Sequence, residues 1–324
     1  MTDLLAKPRF LGATRRQRLV NGLLLVLMLV LPLAAWYTGN PFWLDFATRV
    51  VILSMAAVSL NFILGYGGMV SFGHAAFFGL GAYAVGIPAH HDEYGGLLHV
   101  VLAIGVGALF GAITGAVSLR TRGVHFIMIT MAFAQMVYFA IVSLEEYGGD
   151  DGLVINVRSE LPLIDLESNL VLFLVCFASL LAILYLVFRL VHSRFGLVIQ
   201  GAKDNEQRMK AIGFHVYWYR LAAYTISGAI CAYAGAMLGN FTSFISPEMM
   251  NWTRSGELIF MVILGGAGTL FGPVLGTITF IVLEEVLSGF SVYWHLPFGI
   301  LLIAVVLFAR GGLIGLLHGR GPRQ

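Results

Sequence analysis

Ten apolar runs, at residues 19–37, 50–64, 72–89, 97–119, 124–144, 170–191, 221–241, 256–264, 271–287 and 293–309, take up most of this chain. A helix needs roughly 20 apolar residues to cross a ~30 Å hydrocarbon core, where no water is present to satisfy the backbone. The chain therefore reads as an all-α, polytopic membrane helix bundle of roughly eight to ten transmembrane helices with glycine-broken segments. Several runs fall short of ~20 residues, which predicts tilted, broken or re-entrant helices among them. Composition agrees: of 324 residues, 59% are hydrophobic and 11% charged, with a mean hydropathy of +0.87. A soluble domain is about a quarter charged.

The same numbers remove several functions. A net charge of +2 that is spread along the chain cannot displace counterions as a nucleic-acid surface must, so no nucleic acid is expected as a partner. Cys176 and Cys231 each sit inside an apolar run, where a thiol packs as a small hydrophobe, and neither a disulfide framework nor a cysteine metal site is expected. The first run follows Lys7, Arg9, Arg15, Arg16 and Arg18 as a signal peptide would. It is too long for one and has no small-x-small cleavage site, so it reads as an uncleaved span.

Lys and Arg gather in cytoplasmic loops. Sixteen of the nineteen lie before the first run, at Arg120 and Arg122, between Arg189 and Arg220, or at Arg310, Arg320 and Arg323. The stretch 145–168 carries seven acids, Glu145, Glu146, Asp150, Asp151, Glu160, Asp165 and Glu167, against Arg158 alone. The expected organisation is a basic cytoplasmic tail (1–18), a transmembrane domain (19–310) with an external acidic loop (145–168) and a cytoplasmic loop (192–218), and a cytoplasmic C-terminal tail (311–324). Both termini then lie inside, which demands an even number of crossings.

Glycine breaks the helical pattern at Gly65, Gly67 and Gly68, before Ser71 and Gly73, and again at Gly265, Gly266 and Gly268, before Gly272. Freed backbone groups at membrane depth must be buried in protein or line a cavity. A substrate path is sought there, with Asn61, Ser71, His74, Gln135 and Gly266 as candidates and Thr130 weighed beside them, because polar groups within spans tend to face the bundle interior. The competing reading is an interhelical hydrogen bond worth ~0.6 kcal/mol, and, for glycines such as Gly107, Gly111 and Gly115, close helix packing. Carboxylates are absent from the middle of the spans, which weighs against an ion-coupled pump. No Walker A lysine follows a glycine-rich run, and His74 has no ligand at i+3 or i+4, so no cofactor and no metal are expected in this chain.

Energy must then enter through a loop or a partner. From Arg194 through Lys210 the chain reads as a short amphipathic helix, with Phe195, Val198, Ile199, Ala202 and Met209 forming an apolar side for docking on another protein.

This stretch, Ser193-Arg-Phe-Gly-Leu-Val-Ile-Gln-Gly-Ala-Lys-Asp-Asn-Glu-Gln-Arg-Met-Lys-Ala-Ile-Gly213, resembles the coupling loop of the branched-chain amino acid permeases of ABC transporters, LivM type. Leu60 to Tyr83, Ile226 to Met237 and Ile263 to Gly276 resemble the same family in the same order. Gly196, Ala202, Asp204, Asn205, Glu206 and Gly213 stand where the family pattern has the same or similar residues. Leu197 and Lys203 stand where arginine is expected, and Arg208 with Met209 replaces an Ala-Ala pair.

The resemblance implies a subunit without its own ATPase site, in a bacterial inner (plasma) membrane. Its implied partners are a second related permease subunit, two cytoplasmic ATPase subunits that bind ATP-Mg, and an extracytoplasmic solute-binding protein. The expected function is inward movement of branched-chain amino acids by alternating access. The alternatives are urea or short amides as cargo, a stand-alone channel or secondary transporter, or a membrane anchor for an enzyme complex.

Overall fold

The computed structural model describes residue 10 and residues 15–37, 39–160, 166–290, 293, 295–308 and 312–318. Lys7, Arg9, Asp165, Arg310, Arg320 and Arg323 lie outside the described residues. The helices are α1 (Arg15–Tyr37), α2 (Pro41–Asn61), α3 (His74–His90), α4 (Gly96–Ser118), α5 (Val124–Val142), α6 (Asn169–Val191), α7 (Arg194–Asp204), α8 (Glu206–Ala211), α9 (Val216–Thr242), α10 (Trp252–Gly265), α11 (Gly272–Phe290), α12 (His295–Phe308) and α13 (Gly312–His318). A two-stranded antiparallel ribbon pairs β1 (Leu153–Val154) with β2 (Phe244–Ile245).

Seven of these helices are long and apolar enough to cross a membrane. The helices α3, α10 and α12, at 17, 14 and 14 residues, are the short runs expected from the sequence. The chain is thus a multi-pass, all-α membrane bundle. One boundary differs from expectation: α2 begins at Pro41, not at residue 50, and continues through a π-helical turn at Phe62–Tyr66. The apolar run seemed to start late because Arg49 interrupts it. Arg49 Nη2 meets both Glu284 oxygens of α11, at 3.0 and 3.2 Å, so the charge is paired within the bundle.

Helix α9 is the central element, packed against α2, α3 and α4. Its neighbours are arranged in the reverse of a soluble amphipathic helix. On α4 the buried side is Gly96, His99, Ala103, Gly107, Gly111 and Gly115, while Leu97, Val101, Leu109 and Ile113 point outward. Small residues let backbones approach, and lipid offers bulky side chains as good an environment as the core does. A Cβ on Gly107 would meet Gly228 O at 2.9 Å, and one on Gly115 would meet Leu221 and Tyr224 at 2.9 Å. The packing reading of these glycines is correct. Between α3 and α9, added Cβ atoms at Gly81 and Gly235 would collide with the carbonyls of Ala232 and Phe78.

The acidic stretch folds over the helix ends beside the ribbon. Ser159 N–H donates to Asn240 Oδ1 of α9 at 2.8 Å, and His99 Nδ1 lies 2.6 Å from Ser159 Oγ. Arg158 is held by the carbonyls of Leu166 and Glu167 and by Asn169 Oδ1.

Candidate translocation and coupling site

After the π-turn the chain leaves the helix over residues 67–73, and α3 restarts at His74. A helix start leaves backbone N–H groups without intrahelical partners, and inside a membrane bundle other elements must supply them. Thr130 Oγ1 of α5 accepts from Phe72 N–H at 3.2 Å. Ser71 Oγ accepts from Gly73 N–H at 3.2 Å. Ser255 Oγ of α10 accepts from Ala75 N–H at 2.9 Å and donates to Phe72 O at 2.7 Å.

His74 is fully buried within this collar. Ser227 Oγ of α9 gives its proton to Ser59 O of α2 at 2.6 Å, so toward His74 Nε2, 2.9 Å away, it can only accept. His74 is therefore the Nε2–H tautomer, and the Ser71 hydroxyl, 3.3 Å from Nδ1, donates to it. The imidazole joins α3 to α2 through α9. Among the described residues no three His, Cys, Asp or Glu side chains are placed to hold a metal.

The two glycine breaks, about 200 residues apart in sequence, meet beside this collar. Asn61, buried at the end of α2, donates from Nδ2 to Thr269 O at 2.9 Å and accepts at Oδ1 from Gly268 N–H at 2.9 Å. Both partners belong to the non-helical link between α10 and α11, so Asn61 replaces the intrahelical bonds that the break gives up. Gly266 opens that link with φ +119°, a conformation that side chains rarely adopt. A Cβ on Gly65 would strike Gly268 N, so the two breaks touch through bare backbone.

Helix α7 reaches the same place. Lys203 Nζ donates to Gly65 O at 2.7 Å, and Gln200 Nε2 ties α7 to Val191 O at the end of α6. Instead of one amphipathic helix to Lys210 there are two, because Asn205 is extended (φ −155°, ψ 98°) and its Oδ1 accepts from Arg208 N–H at 2.9 Å to cap α8. The apolar side expected to dock on another protein is already used within the chain. Val198, Ile199 and Ala202 are buried, and Phe195 lies against Phe62 and Tyr219. What α7 presents outward is Arg194, Leu197, which is 64% exposed, Lys203 and Asp204.

Glu206 also faces inward. Its carboxylate pairs with Arg122 at 2.6 Å in the α4–α5 turn, with Lys210 at 2.9 Å, and with Arg220 at 2.8 Å on α9. Burial alone would push this carboxyl up. The Lys210 hydrogen bond and the charges of Arg220, Arg122 and Lys210 outweigh that and hold it below the usual glutamate value. Gly196 packs on the carbonyls of Leu190 and Val191, and Gly213 ends the loop with φ +97°.

Of the path candidates, Ser71 and His74 share one cluster, and Asn61 and Gly266 belong to the adjoining link. Gln135 joins neither, and its buried Nε2 has no hydrogen-bond partner among the described residues. Ser227, Ser255, Thr269 and Lys203 complete the site without having been named as path or coupling residues. A buried hydroxyl within a span was the available signal for the two serines. For Lys203 it was the basic position in the coupling-loop pattern, where arginine is expected.

Residues 42–308 match the family described as branched-chain amino acid transport system / permease component. The chain is 26% identical to the high-affinity branched-chain amino acid transport system permease protein LivM of Escherichia coli K12, over 95% of this chain and 77% of that protein. It is 25% identical to the probable LivM of Methanocaldococcus jannaschii over 80% of this chain and 89% of that one. A probable LivH of the same archaeon is 27% identical over 45% of this chain and 48% of its own length. No solved structure matches. Matched by that family over residues 42–308, this glycine-broken polytopic bundle belongs to the permease components of branched-chain amino acid transport systems.

Proposed function

We propose that the chain is one of two related permease subunits of an ATP-driven importer that moves branched-chain amino acids inward by alternating access. In this reading it lies in a bacterial inner membrane with both termini in the cytoplasm. Two ATPase subunits bind ATP-Mg, one of them seated on the loop 192–218, and an extracytoplasmic binding protein delivers the solute. The chain itself holds no cofactor. The observation that carries the reading is the bond from Lys203 to Gly65 O, which joins the loop to the glycine break that Asn61 ties to Gly268.

A partner shifts a two-state bundle only through contacts that differ between the states. Closure of an ATPase dimer displaces α7, and Lys203 carries that displacement to the Gly65 carbonyl. The break is the one place where α2, α3, α10 and α11 can re-aim without losing regular helix, and Asn61 makes the two halves of the break move together. Gly196, Ala202, Asp204, Asn205 and Gly213 set the shape of the loop, and Glu206 clasps it to α9 and the α4–α5 turn. Ser71, His74 and Gln135 line or brace the path.

The test is isotope uptake of leucine, isoleucine, valine and urea in cells with and without this gene. Loss of leucine, isoleucine and valine uptake is expected. Loss of urea uptake alone replaces the cargo. Unchanged uptake of all four, with no ATPase copurifying, returns the chain to the channel or anchoring readings.

A further inference from the structure

Between Gly68–Val70, the α4–α5 turn and α8 lies a cavity of about 210 Å³. Its polar wall is Glu206, Arg122 and Arg220, and its apolar wall includes Val70, Leu119 and Ile127. The volume is several times the ~30 Å³ share of one water but below the ~300 Å³ at which drug-sized ligands are held. Both signs of charge and branched or aromatic hydrocarbon line the cavity. The cations are in surplus: Glu206 is shared among Arg122, Lys210 and Arg220, and the buried Arg220 Nε donates to nothing among the described residues.

We propose that this cavity is a binding site for a free aliphatic α-amino acid on the coupling-loop side of the permease. The ammonium group meets Glu206, the carboxylate meets Arg122 and Arg220, and the branched side chain lies on Val70, Leu119 and Ile127. This assignment rests on the proposed function for its cargo class and adds a site on the coupling-loop side of the first glycine break. The ligand carboxylate competes with Glu206 for the same guanidinium groups, so occupancy loosens the clasp on α8. Accumulated product then slows its own import.

The test uses the intact importer complex in lipid nanodiscs without its binding protein. Equilibrium dialysis is run with L-leucine, 3-methylbutylamine, which lacks the carboxylate, and 4-methylpentanoate, which lacks the amine. Leucine is expected to bind, and each single-charge analogue to bind about tenfold more weakly or worse, the equivalent of one charge-assisted contact. Arg122→Gln, at a side chain 66% exposed and hence safe for folding, should weaken leucine about tenfold and leave 3-methylbutylamine unchanged. Ile127→Trp, which fills the cavity, should abolish binding of all three. Leucine binding that survives both variants, analogues that bind as well as leucine, or equal weakening of leucine and amine by Arg122→Gln overturns the site. Cells that import no branched-chain amino acid remove the functional reading whatever the nanodiscs show. Import with no nanodisc binding removes the cavity site alone.

Discussion

Replacing Asn61 with alanine isolates the bond pair that joins the two glycine breaks. The side chain is 1% exposed and makes two 2.9 Å bonds, to Gly268 N–H and Thr269 O. Neither partner can turn to a helical neighbour, because both lie between the end of α10 and the start of α11. Each buried group left alone costs about 1–3 kcal/mol, so the pair sums to about 2–6 kcal/mol. Gly268 and Thr269 are half-buried, which favours the lower part, about 2–4 kcal/mol. An ordinary hydrogen bond between membrane helices averages ~0.6 kcal/mol, because there the separated groups find other partners. Unfolding in mixed micelles of dodecyl maltoside and increasing dodecyl sulfate gives the difference by linear extrapolation. Ser54→Ala is the control: Ser54 is on the same helix, fully buried, and its hydroxyl has no partner among the described residues, so removing it breaks no hydrogen bond and should leave stability unchanged or raised. If Asn61→Ala comes within ~0.6 kcal/mol of that control, the bridge is an ordinary interhelical bond and its role at the break is refuted.

Lys203→Met removes the link from α7 to Gly65 O while keeping the length of the side chain. Loss of a charge-assisted bond of about 1.5 kcal/mol should cut solute imported per ATP roughly tenfold, with ATP hydrolysis retained, in proteoliposomes containing the whole complex. Glu206 has a folded value below its ordinary one, so its clasp stabilises α8 above the ordinary glutamate range and is lost as pH falls through the lowered value. Amide exchange of residues 206–211, followed across acid pH, should show that loss, and Glu206→Gln should flatten it. Gly235→Ala, which drives a methyl into the Phe78 carbonyl, should destabilise by about 1–3 kcal/mol. Gly105→Ala, with open space around it, should be neutral in the same unfolding assay.

Elements whose cause is local could be read from the sequence. The spans follow from apolar run length, the close packing of α4 from glycines at every fourth position, and the inward placement of Asn61 and His74 from the cost of polar atoms in hydrocarbon. What the sequence concealed is pairing at long range. Ser227 stands 153 residues from His74, and Lys203 stands 138 from Gly65. No periodicity encodes such a meeting. The start of α2 was hidden for a related reason: Arg49 ends an apolar run by composition, yet Glu284, 235 residues later, makes it compatible with a helix. At Asn205 a cap competed with helix continuation and won, which splits the amphipathic pattern that ignores it. Glu206, expected to face a partner, faces its own chain because three cations arrive there from three different segments.

The single extended residue between α7 and α8 works as a fulcrum. On one side of Asn205, Lys203 and Gln200 fasten α7 to the glycine break and to the end of α6. On the other, Glu206 fastens α8 to α9 and to the α4–α5 turn. In the proposed coupling, a push delivered at Leu197 or Asp204 is divided between two load paths that meet at this joint and again at Arg220, whose Nη2 donates to Ala202 O of α7 at 3.3 Å. Stiffening the joint would make both halves of the bundle travel as one block, and the permease would rock without opening.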